Sequence, residues 1–409
     1  MLRWIAFLLF VAILEIYAFQ AFKTVIKSRG FFVFYFITSA IALLYIMYQL
    51  YHFDRSIGQT PKTMMTMGLL LLLYVPKLLL TIILFGEDII RFFGGIFTFF
   101  SKNESEGFLP ERRRFVSQIA MGIAIIPFAS FLYGMTKGKY NFKVIKQTIY
   151  FPDLPEAFEG TTITHISDVH SGSFDDAEKI EFAIDLINEQ NSDLVLFTGD
   201  LVNTHAIEMD PWIDTFKRIH NPKFGKYSVL GNHDYGEYID WPTKEEKATN
   251  FEGIKAIHGK MDFKLLLNEH IKIKKDDQEL ALVGVENWGR NFGERGDLDV
   301  AGNGLTKDDF KILMSHDPSH WDEKVQHDAK HYHLTLSGHT HGMQFGIEIP
   351  GWIKWSPVQY VYKQWAGLYS NSGRYVYVNR GFGFHAYPGR VGIMPEITVI
   401  ELKKGENVA

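Results

Sequence analysis

The stretch LTLSGHTHGMQFG, from Leu334 to Gly346, sets His339 and His341 one residue apart, directly after an apolar run and between glycines. Imidazole is a common metal ligand, and glycines let a turn pass close to whatever the rings hold. Four other apolar runs end in the same way. TTITHISDVH ends in Asp168 and His170, and DLVLFTGD ends in Asp200. KYSVLGNHD ends in Asn232, His233 and Asp234, and FKILMSHDP ends in His316 and Asp317. Any one of these alone is weak, because a single histidine near a strand is usually a hydrogen-bonded core residue. Five run ends with one bias point to one shared site. Mixed His, Asp and Asn donors suit Mn, Fe or Zn, whereas an all-oxygen set would suit Mg or Ca.

Something must bring these ends together. Runs of four to six apolar residues bounded by Gly, Asp or Asn read as buried strands. Between the first two runs, residues 175–191 read as a helix with Ile180, Ile184 and Ile187 on one stripe. Strand, helix, strand at this spacing is a crossover unit of an α/β domain. In such sheets ligands bind beyond the carboxyl ends of the strands, where the loops open. The spacing therefore predicts an α/β domain over residues 159–404, joined through a hydrophilic linker, 135–158, to what precedes it.

The first 134 residues are of another kind. Fifteen of the 16 histidines follow residue 150, and the segment before 135 is dominated by Leu, Ile, Phe, Met and Tyr. A helix crossing a bilayer needs about 20 apolar residues. Residues 4–22, 31–51, 64–85 and 116–133 qualify, with Glu15 and Lys77 as the charges that stand out and Pro76 as an expected kink. EDIIRFFGGIFTFF is too short for a span of its own and reads as an interfacial helix. Lys23, Lys27 and Arg29 lie in one short connection, and Lys102, Arg112, Arg113 and Arg114 lie in another. Basic loops prefer the cytoplasm. Four spans then leave the α/β domain on the non-cytoplasmic side of the inner membrane. The run ERRRFV also resembles a twin-arginine export signal, placed internally. A net charge of -5 gives no reason to expect a nucleic-acid partner. The absence of cysteine excludes disulfides, thiolate metal sites and cysteine nucleophiles.

The ordered motifs Asp168-x-His170, Gly199-Asp200, Gly231-Asn232-His233-Asp234, His316 and Gly338-His339-Thr340-His341 resemble those of the calcineurin-like metallophosphoesterase superfamily. The resemblance is closer to its membrane-anchored bacterial branch. It implies a four-layer α/β/β/α sandwich behind an all-α transmembrane region. It implies two divalent or mixed-valence ions of Mn, Fe or Zn, one on Asp168, His170, Asp200 and His341. The second would sit on Asp200, Asn232, His316 and His339, with Asp200 bridging. Two dications outweigh two carboxylates and a hydroxide, which favours a phosphate anion. Metal binding lowers the pKa of water to about 7, so hydroxide attack on phosphorus is available at neutral pH. By the same resemblance His233 donates a proton to the leaving oxygen, with a carboxylate such as Asp168 setting its charge.

Other residues tempt. His385 follows a strand beside a glycine-rich turn and could touch substrate. Arg390 could grip a phosphate, since a guanidinium fork matches phosphate oxygens. Trp352, Trp355 and Trp365 could sit at a membrane interface beside an acyl chain. The expected function is a membrane-anchored phosphoesterase that cleaves a phosphodiester or pyrophosphate bond, with a phosphorylated, lipid-linked substrate and the bilayer as partners. One alternative is a UDP-2,3-diacylglucosamine-type pyrophosphohydrolase of lipid A synthesis, which needs a cytoplasmic site. The other is a non-catalytic metal-binding sensor, against which stands the intact motif set.

Overall fold

Helices that cannot hide their apolar surface from water form the first part of the chain. The computed structural model describes residues 2–101, 110–349 and 351–406. It divides into two compact units, Met1–Phe53 with Lys62–Thr136 and Asp54–Pro61 with Lys137–Ala409. The first unit contains α1 (Leu2–Val25), α2 (Arg29–Tyr51), α3 (Pro61–Ser101) and α4 (Pro110–Thr136). All four are long and apolar enough to cross a membrane. Large side chains such as Leu9, Phe34, Ile82 and Ile125 stay exposed on them.

The third helix differs from expectation. It continues through Pro76 and on to Ser101, so the stretch from Glu87 prolongs the span and is no separate interfacial helix. The charges that seemed to interrupt it are paired. Arg113 Nη1 donates to Glu87 Oε2 at 2.5 Å and to Asp88 Oδ1 at 3.0 Å. Arg113, read as part of an export motif, is thus buried and spent inside the bundle. Lys77 Nζ meets Glu15 Oε1 at 2.5 Å, and the Tyr35 hydroxyl donates to Glu15 Oε2 at 2.5 Å. Ionisable groups at this depth persist when they neutralise one another. Lys102 of the second basic connection lies outside the described residues.

Two six-stranded sheets build the second unit. The first runs, across the sheet, Lys143–Phe151, Glu396–Lys404, Thr162–Ile166, Leu194–Phe197, Lys226–Ser228 and Lys264–Leu265. Its last four strands are parallel, and Glu396–Lys404 is antiparallel to Thr162–Ile166, with Thr398 opposite His165. The second runs Gly367–Asn371, Arg374–Val378, Leu334–Ser337, Lys311–Met314, Gln278–Gly284 and Glu269–Lys275. Its four central strands are parallel, with Leu313 opposite Thr335 and Val283. The expected linker holds a strand, since Lys143–Phe151 pairs in parallel with Glu396–Lys404 along its whole length. Its lysines hid that signal, because an edge strand keeps polar side chains toward water.

Side-chain alternation produces the layers. Leu194 and Leu196 pack with Ile312, Met314, Leu334 and Leu336 between the sheets. Val195 and Phe197 point the other way, onto Ile180, Ile184 and Ile187 of helix Ala177–Glu189 and onto Ile254 and Ile257 of helix Lys244–Lys260. Leu313 and Val283 likewise leave the inter-sheet core and pack on Trp321 and Val325. Both faces of each sheet are covered, which is why LVLF and KILM are buried throughout. The expected α/β/β/α order results.

Candidate metal centre

Each parallel strand that carries a motif stops where its chain turns sharply. Asp168 (φ 55°), His170 (φ 47°), Asp200 (φ 58°), His339 (φ 69°) and His341 (φ 49°) all adopt left-handed backbone. For a residue with a side chain this costs about 1–2 kcal/mol. Strain of this kind persists only where the surroundings over-determine it. Here the surroundings are the loops that leave the two packed sheets and close on one another. A Cβ on Gly338 would fall inside contact distance of Ser167 Oγ and Asp168 Oδ2, and one on Gly231 would strike Asp200 Oδ1. The glycines of both motifs let the loops close on each other.

The side chains converge. His341 Nε2 lies 3.1 Å from Asp168 Oδ1 and 3.0 Å from His170 Nε2. His316 Nε2 lies 3.1 Å from Asp200 Oδ2 and 3.1 Å from Asn232 Oδ1. His339 Nδ1 lies 2.8 Å from Asn232 Oδ1. Asp200 Oδ2 is also 3.6 Å from His170 Nε2, which places this carboxylate between the two groups. Asp168, His170 and His341 form one set of donors able to hold an ion, and Asp200, His316 and His339 form another. His170, His233 and His385 make a third grouping beside them.

Outer partners fix which ring nitrogen faces inward, since a carbonyl can only accept. His316 Nδ1 donates to the Thr198 carbonyl at 2.7 Å, which leaves Nε2 free. His233 Nδ1 donates to the Asn203 carbonyl at 2.8 Å, again leaving Nε2 free. Asn203 Oδ1 sits 3.1 Å from His170 Nδ1, so this residue orients two histidines. His339 turns its other nitrogen, Nε2, to the Tyr362 hydroxyl at 2.8 Å. Tyr362 in turn donates to Asp317 at 3.2 Å. Such partners set ligand tautomers and basicity.

The electrostatics ask for cations. Burial opposes ionisation of Asp200, yet the imidazoles of His316 and His233 outweigh it and hold its carboxyl well below the usual range. Burial likewise opposes charge on His316, and the Asp200 carboxylate overcomes it, lifting the ring to about 10. Burial and then the neighbouring His385 push His170 well below its ordinary value. Without an ion, a proton on His316 answers the Asp200 charge. A cation would take that proton's place, and buried carboxylates and imidazoles of this kind are the donors that transition-metal ions require. The residues fit the group.

All seven expected ligands and His233 meet here, and His385 joins them, its ring 4.5 Å from that of His233. Two expectations are corrected. Asp168 does not set the charge of His233, because its oxygens accept from the His339 N–H, at 2.9 and 3.0 Å, and approach His341. The carboxylate linked to His233 is Asp200, which accepts from the His233 backbone N–H at 2.8 Å. Arg390 grips no phosphate. It is fully buried, and its guanidinium donates to the carbonyls of Arg380, Gly381 and Gly383 while Nη2 lies 3.1 Å from His341 Nδ1. Sequence reasoning missed Asn203 and Tyr362, and it passed over Asp234. Asp234 accepts from the N–H groups of Asp200, Leu201 and Gly231, and burial followed by the Asp200 charge raises it to about 7. Only Asp234 stood inside a visible motif.

Paired sheets with this donor set at their carboxyl edge define a metal-dependent phosphoester hydrolase. Residues 2–139 match the family model described as the transmembrane domain of a probable calcineurin-like phosphoesterase, and residues 161–343 match calcineurin-like phosphoesterase. The chain is similar to an uncharacterised metallophosphoesterase, YkuE, of Bacillus subtilis, with 31% identity over 63% of this chain and 84% of that one. It is 28% identical to a transmembrane protein with metallophosphoesterase domain of Danio rerio, over 67% of this chain and 60% of the relative. It is 27% identical to the phosphodiesterase YaeI of Escherichia coli, over 71% and 98%. The chain belongs to the calcineurin-like metallophosphoesterase family. It is an integral membrane protein with an α/β metallophosphoesterase domain behind four apolar helices.

Proposed function

We propose that this protein hydrolyses a phosphodiester or pyrophosphate bond of a lipid-linked substrate with two divalent ions, which the Asp168, His170, His341 group and the Asp200, His316, His339 group would hold. The convergence of Asp168, His170, Asp200, Asn232, His316, His339 and His341 carries the reading. Bound there, the ions supply Lewis-acid charge and an ionised water at neutral pH. The chain supplies the rest. Asp200 lies between the two donor groups, Asn203 turns His170 inward, and Tyr362 turns Nδ1 of His339 inward. His233, when protonated on Nε2 as well, gives that proton to the leaving oxygen and is left neutral, its Nδ1–H still donating to the Asn203 carbonyl. A proton transfer of this type contributes roughly 10²–10⁴-fold.

The lipid reading rests on an apolar surface beside the site. Ile347–Ile349 and Ile353–Trp355 form an antiparallel hairpin between His341 and Tyr362. Ile347, Trp352, Tyr360 and Val361 are exposed around it, Trp352 by 76%. Trp365 is buried in the core and Trp355 is half-buried against Phe345, so Trp352 is the tryptophan that best fits the interfacial expectation. Clustered apolar exposure marks interaction surfaces, and tryptophan prefers the bilayer interface.

The test uses the full chain in lipid nanodiscs. Two Mn, Fe or Zn ions per chain should be found, with phosphodiesterase activity lost on chelation and restored by metal. A lipid-linked diphosphate should be preferred over a soluble diester, and Trp352→Ser should abolish that preference while sparing the soluble reaction. One ion per chain, or equal use of both substrates, refutes the corresponding part.

A further inference from the structure

We infer that the connection between α2 and α3 is a working part of the metal site, with Gln59 as a positioning residue for His170 and His385. By its contacts the segment Asp54–Pro61 belongs to the catalytic unit, although two membrane helices separate it from that unit in sequence. Its fold aims one side chain. Asp54 accepts from the backbone and hydroxyl of Ser56 at 2.8 and 2.7 Å, closing a turn. Gly58 then takes φ 75°, in a place where a Cβ would crowd Ile239. Gln59, next along, uses both ends of its amide. Nε2 donates to Ser173 Oγ at 3.1 Å, and Oε1 accepts from the Ala386 N–H at 2.7 Å.

Each end leads to a site histidine. Ser173 Oγ receives Asn203 Nδ2 at 3.1 Å, and Asn203 Oδ1 holds His170 Nδ1. Ala386 directly follows His385 and is held left-handed at φ 60°. The His385 ring packs against those of His170 and His233, at 4.8 and 4.5 Å between centroids. One amide thus ties together the two loops that supply this side of the cluster. A connection serving only to join two helices needs no side chain there. The inference rests on the metal assignment above and extends it to a residue outside the motif set.

The experiment titrates Mn²⁺ into the metal-stripped full chain in nanodiscs, by calorimetry, for wild type, Gln59→Met, Gln59→Glu and Arg55→Ala. Loss of an outer partner typically weakens a metal site by about 10–100-fold. Gln59→Met, equal in length but without the amide, should bind Mn²⁺ at least about tenfold more weakly. Gln59→Glu keeps an acceptor for Ala386 and for the Ser173 hydroxyl, and it should recover most of the affinity. Arg55, exposed on the same segment, should tolerate alanine. Wild-type affinity in Gln59→Met, or equal damage from Arg55→Ala, overturns the inference. Should Gln59→Met misfold, Gln59→Asn, one methylene too short to reach both loops, is read against the same criterion. A wild-type chain that binds no Mn²⁺ would instead count against the metal assignment itself.

Discussion

His233 shows how much one residue's role depends on which nitrogen is left free. It stands beside a ligand in GNHD, yet its Nδ1 is committed to the Asn203 carbonyl and only Nε2 is available. His233→Ala should therefore retain the metal complement of wild type while turnover falls by roughly 10²–10⁴-fold. Metal analysis alongside kinetics decides it, and an empty site in the variant would make His233 a ligand instead. The motif residues were legible because metal chemistry restricts side-chain type. Asn203 and Tyr362 were not, because a carbonyl or hydroxyl acting behind a ligand can come from almost any sequence. Arg390 was misread for a related reason. A guanidinium suits phosphate and backbone carbonyls alike, and burial alone tells them apart.

At the scale of elements, the site depends on strands that end abruptly and loops that nearly touch. Gly338 lies where the second sheet meets Ser167 and Asp168 of the first. Gly338→Ala should force these loops apart, lowering thermal stability markedly and removing metal from the Asp168, His170 and His341 group. Retention of wild-type metal content and melting temperature would show that the loops have slack. Strand ends and the helix at Ile180–Ile187 were readable from short apolar runs and a 3.6-residue stripe. The strand Lys143–Phe151 was not, because an edge strand half open to water has no apolar run to betray it. The extension of α3 past Glu87 was hidden likewise, since Arg91 pairs with Asp88 within the helix but the buried cation that meets both acids, Arg113, lies 25 residues or more away.

For the whole molecule, four spans require that Asp54–Pro61 and the catalytic unit share one side of the membrane, two crossings apart. The segment's hydrogen bonds to Ser173 and Ala386 agree with that parity. The basic connection at Lys23, Lys27 and Arg29 favours the opposite side as cytoplasmic. Reporter fusions after Gly58 and after residue 406 should both report a non-cytoplasmic location. A cytoplasmic reading at both would reverse the orientation and admit a nucleotide-linked lipid substrate. Opposite readings would remove a span.

The sequence by itself determined the donor types, their order along the chain, the strands they terminate and the apolar lengths that cross a bilayer. These follow from local chemistry, which is written in neighbouring residues. Only the tertiary structure decided which nitrogen faces inward, that Arg390 serves the backbone, that Arg113 neutralises a distant acid pair, and that Gln59 reaches the site. Each depends on groups brought together from distant parts of the chain, where pairing is set by burial and geometry rather than by sequence spacing.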